Sequence, residues 1–129
     1  MKKSKKKIFI ACDTTKISKV RRIIRCSKTK ELKIGFKFGL EFLNSINGRR
    51  FIKNLRNKII FLDVKLNDIP NTMKGALHAL SDLKPNYLTV HISSGFEALR
   101  TAKSISKNIK IVGVTTLTSL DNKNLREIG

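Results

Sequence analysis

The chain has 129 residues, enough for one domain with a hydrophobic core, and 28 Lys and Arg against 9 Asp and Glu give a formal net charge of +19. Such an excess raises nucleic acid or an anionic surface as a partner, but the lysines are spread along the whole chain and only the basic extension at residues 1–7 is dense, so we expect diffuse surface charge and no nucleic-acid site. No apolar run approaches the roughly 18 residues of a membrane span, so we expect a cytoplasmic protein. Cys12 and Cys26 form neither a CxxC pair nor a Cys/His zinc cluster, so we expect both to be free thiols.

Short β-branched runs alternate along the chain with longer amphipathic stretches. The predicted strands are residues 8–12, 33–38, 59–64, 87–91 and 109–115. The predicted helices between them are residues 16–27, 48–56, 70–83 and 95–106, and residues 122–128 signal a fifth helix. Strands that alternate with helices predict βαβ units with a parallel sheet, here in one compact unit.

Two of the predicted helices indicate which face meets the sheet. Pro70 suits a first helical turn, where a missing N–H does no harm. Apolar side chains then recur at helical spacing, at Met73, Ala76, Leu77, Leu80 and Leu83 in one helix and at Ala98, Leu99, Ala102 and Ile105 in the other. We expect these positions to pack against the sheet.

Polar side chains follow the predicted strands one after another. They are Asp13 after the first strand, Lys37 near the end of the second, Asp63 and Lys65 at the third, His91 at the fourth, and Thr118 and Ser119 after the fifth. A single strand-end Asp can simply cap the next helix. Polar groups after five consecutive strands instead favour the carboxyl edge of a parallel sheet, where α/β folds bind ligands and carry out chemistry.

The number of units predicts a partial barrel. Five strands with four intervening helices amount to little more than half of an eightfold barrel, which needs roughly 250 residues. We therefore expect residues 1–129 to be the N-terminal portion of a single, larger barrel domain.

The densest charge lies at the end of the third predicted strand, which the apolar run 59–62 begins. Asp63 and Lys65 are two apart and so share one face of a regular strand, and Asp68 lies in the following turn. A lysine between two carboxylates stays protonated and could donate a proton to a carbanion-like centre. The two carboxylates could equally hold Mg²⁺, or the three charges could form a structural ion-pair network.

These motifs together resemble those of one known family. Residues 63–72 match the pattern D-x-K-x-x-D-I-P-N-T through Asp63, Lys65 and Asp68, followed by Ile69-Pro70-Asn71-Thr72. Four further segments match in order: 11–13 matches A-L-D, 37–42 matches K-x-G-x-E-x, 90–95 matches V-H-A-x-x-G, and 114–119 matches V-T-x-L-T-S. The ordered set resembles orotidine 5′-phosphate decarboxylase, over essentially the whole chain but only the first half or so of that family's length.

The resemblance implies a TIM (β/α)8 barrel that converts orotidine 5′-monophosphate to UMP in de novo pyrimidine biosynthesis, without metal or cofactor. By position, Lys65 would donate a proton to C6 of the pyrimidine and Asp63 would lie beside the departing carboxylate. Lys37 would join this charged chain and contact the ribose, and Asp13 would bind ribose hydroxyls.

The resemblance also implies roles at the rim of the site and a homodimer. Thr118 and Ser119 would meet the pyrimidine. Asp68, Ile69 and Thr72 would complete the site of a neighbouring subunit, so each site would need two chains.

The sequence departs from the family pattern in several places. Lys33 is a rival for the role of Lys37, but Lys37 puts Glu41 where the family has its Glu. Ile92 replaces an Ala, and Cys12 replaces a Leu. The family's later phosphate-binding segments do not occur in these 129 residues, so we expect little or no activity from the isolated chain. The chain would then be a truncated product, one half of a split enzyme or a chain that pairs its halves.

Two other functions remain open from the residues. A Mg²⁺-dependent sugar-phosphate decarboxylase or aldolase of the same superfamily shares the D-x-K-x-x-D core, although the Ile-Pro-Asn-Thr tail favours the orotidine enzyme. An inactive basic fragment that binds nucleic acid would show tight and steeply salt-dependent binding to RNA.

Overall fold

Alternating strands and helices make up the described part of the chain, residues 6–128 of a computed structural model. The strands are β1 (Lys7–Ala11), β2 (Lys33–Gly39), β3 (Ile59–Leu66), β4 (Tyr87–His91) and β5 (Lys110–Val114). The α-helices are α1 (Ile17–Cys26), α2 (Leu40–Asn44), α3 (Gly48–Asn54), α4 (Pro70–Leu80), α5 (Phe96–Ile105) and α6 (Asn122–Glu127), with 3₁₀ turns at Ser81–Leu83 and Ile92–Ser94. The predicted basic extension at 1–7 lies outside the described residues, apart from Lys6 and Lys7.

The five described strands form one parallel sheet in the order β1-β2-β3-β4-β5. Each strand pairs with the next one along the chain, which is the winding of a β/α barrel. In the described residues β1 and β5 each have a partner on one side only. The predicted fold class, a partial barrel with a parallel sheet, is confirmed.

The hydrophobic core lies between the sheet and the helices. Its fully buried large side chains include Phe38, Leu62 and Leu88 from the strands and Ile52 and Met73 from the helices. The predicted helix faces are confirmed: Leu77, Leu80, Leu83, Ala98 and Ala102 are also buried, and Ala76, Leu99 and Ile105 are partly buried.

The two cysteines are free, as predicted. Cys12 is fully buried at the end of β1, and Cys26 is exposed at the end of α1. Burial, with a smaller contribution from the charge of Asp13, raises the pKa of the Cys12 thiol to about 11. Among residues 6–128, no helix combines the length and the apolar character needed to cross a membrane.

The crossover from β2 to β3 contains one helix more than predicted. Helix α2 has five residues and buries Phe42 and Leu43, but so short a segment has no sequence periodicity that would reveal it. The predicted helix 70–83 ends as α4 at Leu80 and continues as a 3₁₀ turn. Helix α5 begins one residue later than predicted, because Gly95 has a φ of 84° and serves as the N-cap.

Substitution of Gly48 by alanine is expected to destabilise the chain by about 3 kcal/mol. Gly48 starts α3 directly against α2, where a Cβ atom would collide with the carbonyl oxygen of Phe42 and with the hydroxyl of Ser45. The matched control is Gly75→Ala, since Gly75 lies inside α4 and no atom lies within 4 Å of a Cβ built there. That variant should gain about 0.5–1 kcal/mol. Urea unfolding measures both, and equal stabilities would contradict the packing of α2 against α3.

Candidate active site

One carboxylate lies between two ammonium groups at the carboxyl edge of the sheet. Asp63, near the end of β3, accepts hydrogen bonds from Lys37 Nζ at 2.9 Å and from Lys65 Nζ at 2.8 Å. Lys37 reaches Asp63 from the neighbouring strand β2. The Asp63 side chain is 12% exposed, whereas the Lys37 and Lys65 side chains are 30% and 38% exposed. The two amino groups therefore face the open side of the site while the carboxylate lies beneath them.

Thr89 is the fourth member of this cluster, and sequence analysis missed it. Its hydroxyl, buried on β4, donates to Asp63 Oδ1 at 3.0 Å and accepts from the backbone N–H of Lys65 at 2.9 Å. The available signal was a polar residue between the apolar Leu88 and Val90 in the middle of the predicted strand. We call Lys37, Asp63, Lys65 and Thr89 the charged cluster.

The backbone of Lys65 departs from a regular strand. Leu62 pairs with Leu88 but Leu66 pairs with Val90, so four steps along β3 match two along β4. Lys65 lies in this irregular stretch with a φ of 47°, a left-handed conformation that costs a non-glycine residue roughly 1–2 kcal/mol. Asp63 and Lys65 do meet, but the regular two-residue alternation assumed from the sequence is not what brings them together.

The surroundings of Asp63 favour its ionised form. Partial burial alone would raise its pKa, but hydrogen bonds from Lys65, Lys37 and Thr89, together with the positive charge of Lys37, outweigh burial and hold the pKa of the carboxyl below its ordinary value. Asp63 is thus a fixed negative charge at neutral pH.

The arrangement within one chain is the reverse of the lysine between two carboxylates that the spacing suggested. Asp68 is exposed, and its carboxylate accepts from the backbone N–H of Ile69 at 2.8 Å. Ile69 is 66% exposed, and Thr72 is exposed in the first turn of α4. In the described residues, no ion pair or hydrogen bond joins Asp68, Ile69 or Thr72 to the charged cluster.

The other predicted site residues lie at the same edge of the sheet. Asp13 is exposed two residues after the end of β1. Thr118 and Ser119 are exposed in a turn between β5 and α6. Throughout residues 6–128, no hydrogen bond or ion pair joins these three to the charged cluster. Lys33, the rival for the role of Lys37, starts β2 opposite Lys7, at the far end of the strand from Asp63.

A hydrogen bond links two loops beside the cluster. Ser94 Oγ donates to Asn67 Oδ1 at 2.8 Å, so the loop after β3 is tied to the 3₁₀ turn after β4. Both residues lie in segments that matched the family pattern. Nowhere in residues 6–128 do three or more His, Cys, Asp or Glu side chains form a group that could hold a metal ion.

Comparison with known proteins decides the family. A sequence profile described as the orotidine 5′-phosphate decarboxylase/HUMPS family matches residues 6–129. The chain belongs to this family. Orotidine 5′-phosphate decarboxylase from Sphingopyxis alaskensis is 38% identical over 125 residues, and the one from Wolbachia pipientis subsp. Culex pipiens is 44% identical over 102 residues.

The likeness to the orotidine 5′-phosphate decarboxylase family extends to the fold. The crystal structure of orotidine 5′-phosphate decarboxylase from Lactobacillus acidophilus superposes with a TM-score of 0.78 at 28% identity, over 95% of this chain and 58% of that one. The matched regions cover 95% of this chain and 54% of the Sphingopyxis enzyme, and 75% of this chain and 45% of the Wolbachia enzyme. The chain thus spans about half the length of the curated relatives it matches.

Proposed function

We propose that the chain carries the catalytic residues of an orotidine 5′-phosphate decarboxylase, a carboxy-lyase that converts orotidine 5′-monophosphate to UMP in pyrimidine biosynthesis. The observation that carries this proposal is the charged cluster at the carboxyl edge of the sheet, in a chain of that family. We take residues 1–129 to be the N-terminal portion of one barrel domain.

The charged cluster suits a reaction that leaves an electron pair on carbon. The bond between C6 and the substrate carboxylate breaks, CO₂ leaves, and the electron pair stays on C6. Lys65 Nζ, which donates a hydrogen bond to Asp63 Oδ1, gives its proton to C6 and regains one from water. Asp63 faces the departing carboxylate, and the cationic Lys37 and Lys65 offset the charge that develops.

Binding roles follow from the family pattern. Lys37 contacts the ribose as well as Asp63, and Asp13 binds ribose hydroxyls. Thr118 and Ser119 meet the pyrimidine. Their position at the same edge of the sheet as Asp63 supports these assignments.

The start of α4 is proposed to act in a second subunit. Asp68, Ile69 and Thr72 are exposed, and in the described residues no hydrogen bond or ion pair joins them to their own chain's charged cluster, which suits a contribution to the neighbouring site of a homodimer. A partner segment would supply the groups that hold the 5′-phosphate. Free cysteines suit a reducing compartment such as the cytoplasm.

The experiment that tests the proposal completes the barrel. Residues 1–129 replace the corresponding part of the Sphingopyxis enzyme in a chimera, and release of CO₂ and formation of UMP are followed alongside the 129-residue chain alone. We expect the chimera to turn over orotidine 5′-monophosphate in the presence of EDTA, with little or no turnover by the chain alone. A chimera that unfolds cooperatively yet forms no UMP would contradict the proposal.

The family profile also covers HUMPS proteins, so a sugar-phosphate activity needs its own arm in this experiment. The chimera is assayed with 3-keto-L-gulonate 6-phosphate and with hexulose 6-phosphate. Turnover of either sugar phosphate that EDTA abolishes would replace the proposed reaction with the Mg²⁺-dependent one.

A further inference from the structure

A cavity of about 640 Å³ lies at the end of the sheet opposite to the charged cluster. The segments that line it precede β4 and β5: residues 81 and 84–86 on one side and residues 105–109 on the other. These strands run parallel, so their amino ends share this edge while Asp63 lies at the carboxyl edge. We call this space the lower cavity.

The lining of the lower cavity is cationic and rich in hydrogen-bonding groups. The lining residues include Lys84, Lys107, Asn86, Asn108, Ser81 and Ser106, and none of them is Asp or Glu. Of their polar groups, Asn86 Oδ1 already accepts from the Ile60 N–H and the Ser81 hydroxyl already donates to the His78 carbonyl oxygen. Lys84 and Lys107 form no ion pair in the part of the chain that the structure describes. Two uncompensated ammonium groups beside amides favour an anion.

Ser106 supplies a second, independent observation. The residue is 2% exposed, and its Oγ has no hydrogen-bond partner among residues 6–128. A buried hydroxyl without a partner is costly, so native structures nearly always satisfy it. An unsatisfied hydroxyl in the wall of this cavity points to a partner that the polypeptide does not provide.

A cluster of like charge adjoins the lower cavity. Asn86 and Asn108 also line a second cavity of about 250 Å³ together with Lys7, Lys33, Tyr87 and Lys110. Lys7 donates to the Tyr87 hydroxyl, and Lys110 Nζ lies 5.7 Å from the centre of the Tyr87 ring. Lys7, Lys33 and Lys110 form no ion pair with a carboxylate in the described residues, so positive charge extends from one cavity to the next.

We propose that the lower cavity binds a small phosphate-bearing anion, held by the Lys84 and Lys107 ammonium groups and by the Ser106 hydroxyl. The adjoining lysines favour a ligand with more than one phosphate group, because each further phosphate meets another uncompensated positive charge. This site is separate from the proposed catalytic site, and its occupancy does not depend on the decarboxylation chemistry.

The test titrates the 129-residue chain with pyrophosphate and, in a parallel arm, with inorganic phosphate in 0.15 M NaCl, at which remote surface charges are largely screened. Isothermal calorimetry should give saturable binding, tighter for pyrophosphate. The double variant Lys84→Gln/Lys107→Gln should weaken it at least about tenfold, equivalent to about 1.4 kcal/mol. The matched control, Lys19→Gln/Lys74→Gln, removes the same charge from exposed sites in α1 and α4 and should change affinity less than about twofold.

The variant Ser106→Ala tests whether the buried Ser106 hydroxyl binds the ligand. We expect about fivefold weaker pyrophosphate binding with no loss of thermal stability. Unchanged affinity in Ser106→Ala would remove the hydroxyl from the site. An equal loss of affinity in the Lys19/Lys74 control, or no saturable binding to the unaltered chain, would overturn the proposal and assign any attraction to the overall charge of +19.

Discussion

Replacement of Lys65 by alanine is expected to lower kcat for decarboxylation at least about a thousandfold in the chimera that completes the barrel. The substitution removes the proposed proton donor for C6 and one of the two cations that surround Asp63. The Lys65 side chain is 38% exposed, so its loss should have a much smaller effect on the free energy of unfolding. The measurement is single-turnover formation of UMP, with urea unfolding of the same protein as the reference.

Two further variants distinguish a proton donor from a merely electrostatic residue. Lys65→Arg keeps the positive charge, but a guanidinium does not give up its proton in the accessible pH range, so kcat should stay low. Lys103→Ala removes an exposed lysine near the end of α5 and should leave kcat unchanged. Recovery of kcat in Lys65→Arg, or a loss of less than about tenfold in Lys65→Ala, would exclude Lys65 as the proton donor.

The larger features of the fold could be predicted because they rest on patterns that repeat along the chain. The spacing of Met73, Leu77 and Leu80 reports one face of a helix, and that face is buried. Alternation of strands with helices fixes parallel pairing, because each crossover returns the chain to the same end of the sheet. The five strands therefore lie where the sequence predicts them, within one or two residues at each end.

The remaining features depend on contacts between segments that are distant in sequence. Thr89 joins the charged cluster only because β4 lies beside β3 in a register that places its hydroxyl 3.0 Å from Asp63. The left-handed Lys65 reflects the same unequal pairing, which no property of residues 59–66 alone encodes. Helix α2 is too short to have a period, and packing of Phe42 and Leu43 stabilises it.

The residues of the proposed site fall into two groups, those that meet within one chain and those that do not. Lys37, Asp63 and Lys65 come together within one chain, so the folded chain can bring them into contact without help. Asp68, Ile69 and Thr72 match the same motif but stay exposed, and their proposed role depends on a second chain. A motif therefore names residues that share a function, but it does not say which chain brings each of them to the reaction.

Asp63→Asn is expected to destabilise the chain by about 2 kcal/mol at pH 7. The amide accepts hydrogen bonds less strongly than the carboxylate and leaves the Lys37 and Lys65 ammonium groups facing each other without a counter-charge. Because both lysines are about one third exposed, water compensates part of the loss, and the effect stays below that of breaking a fully buried ion pair.

The pH dependence of that difference identifies the carboxylate as its source. The pKa of folded Asp63 lies below the ordinary value of 3.8, so ionised Asp63 contributes its full stabilisation above about pH 4 and loses it as the pH falls through the lower, folded pKa. The gap in unfolding free energy between the unaltered chain and Asp63→Asn should thus be constant from pH 7 to about 5 and shrink toward pH 3. Asp13→Asn is the matched control, since Asp13 is exposed and makes no ion pair in the described residues. A gap that widens toward acid pH, or one that Asp13→Asn reproduces, would mean that Asp63 is not held ionised by Lys37 and Lys65, and the proton on Lys65 would then lack the partner that the proposed reaction assigns to it.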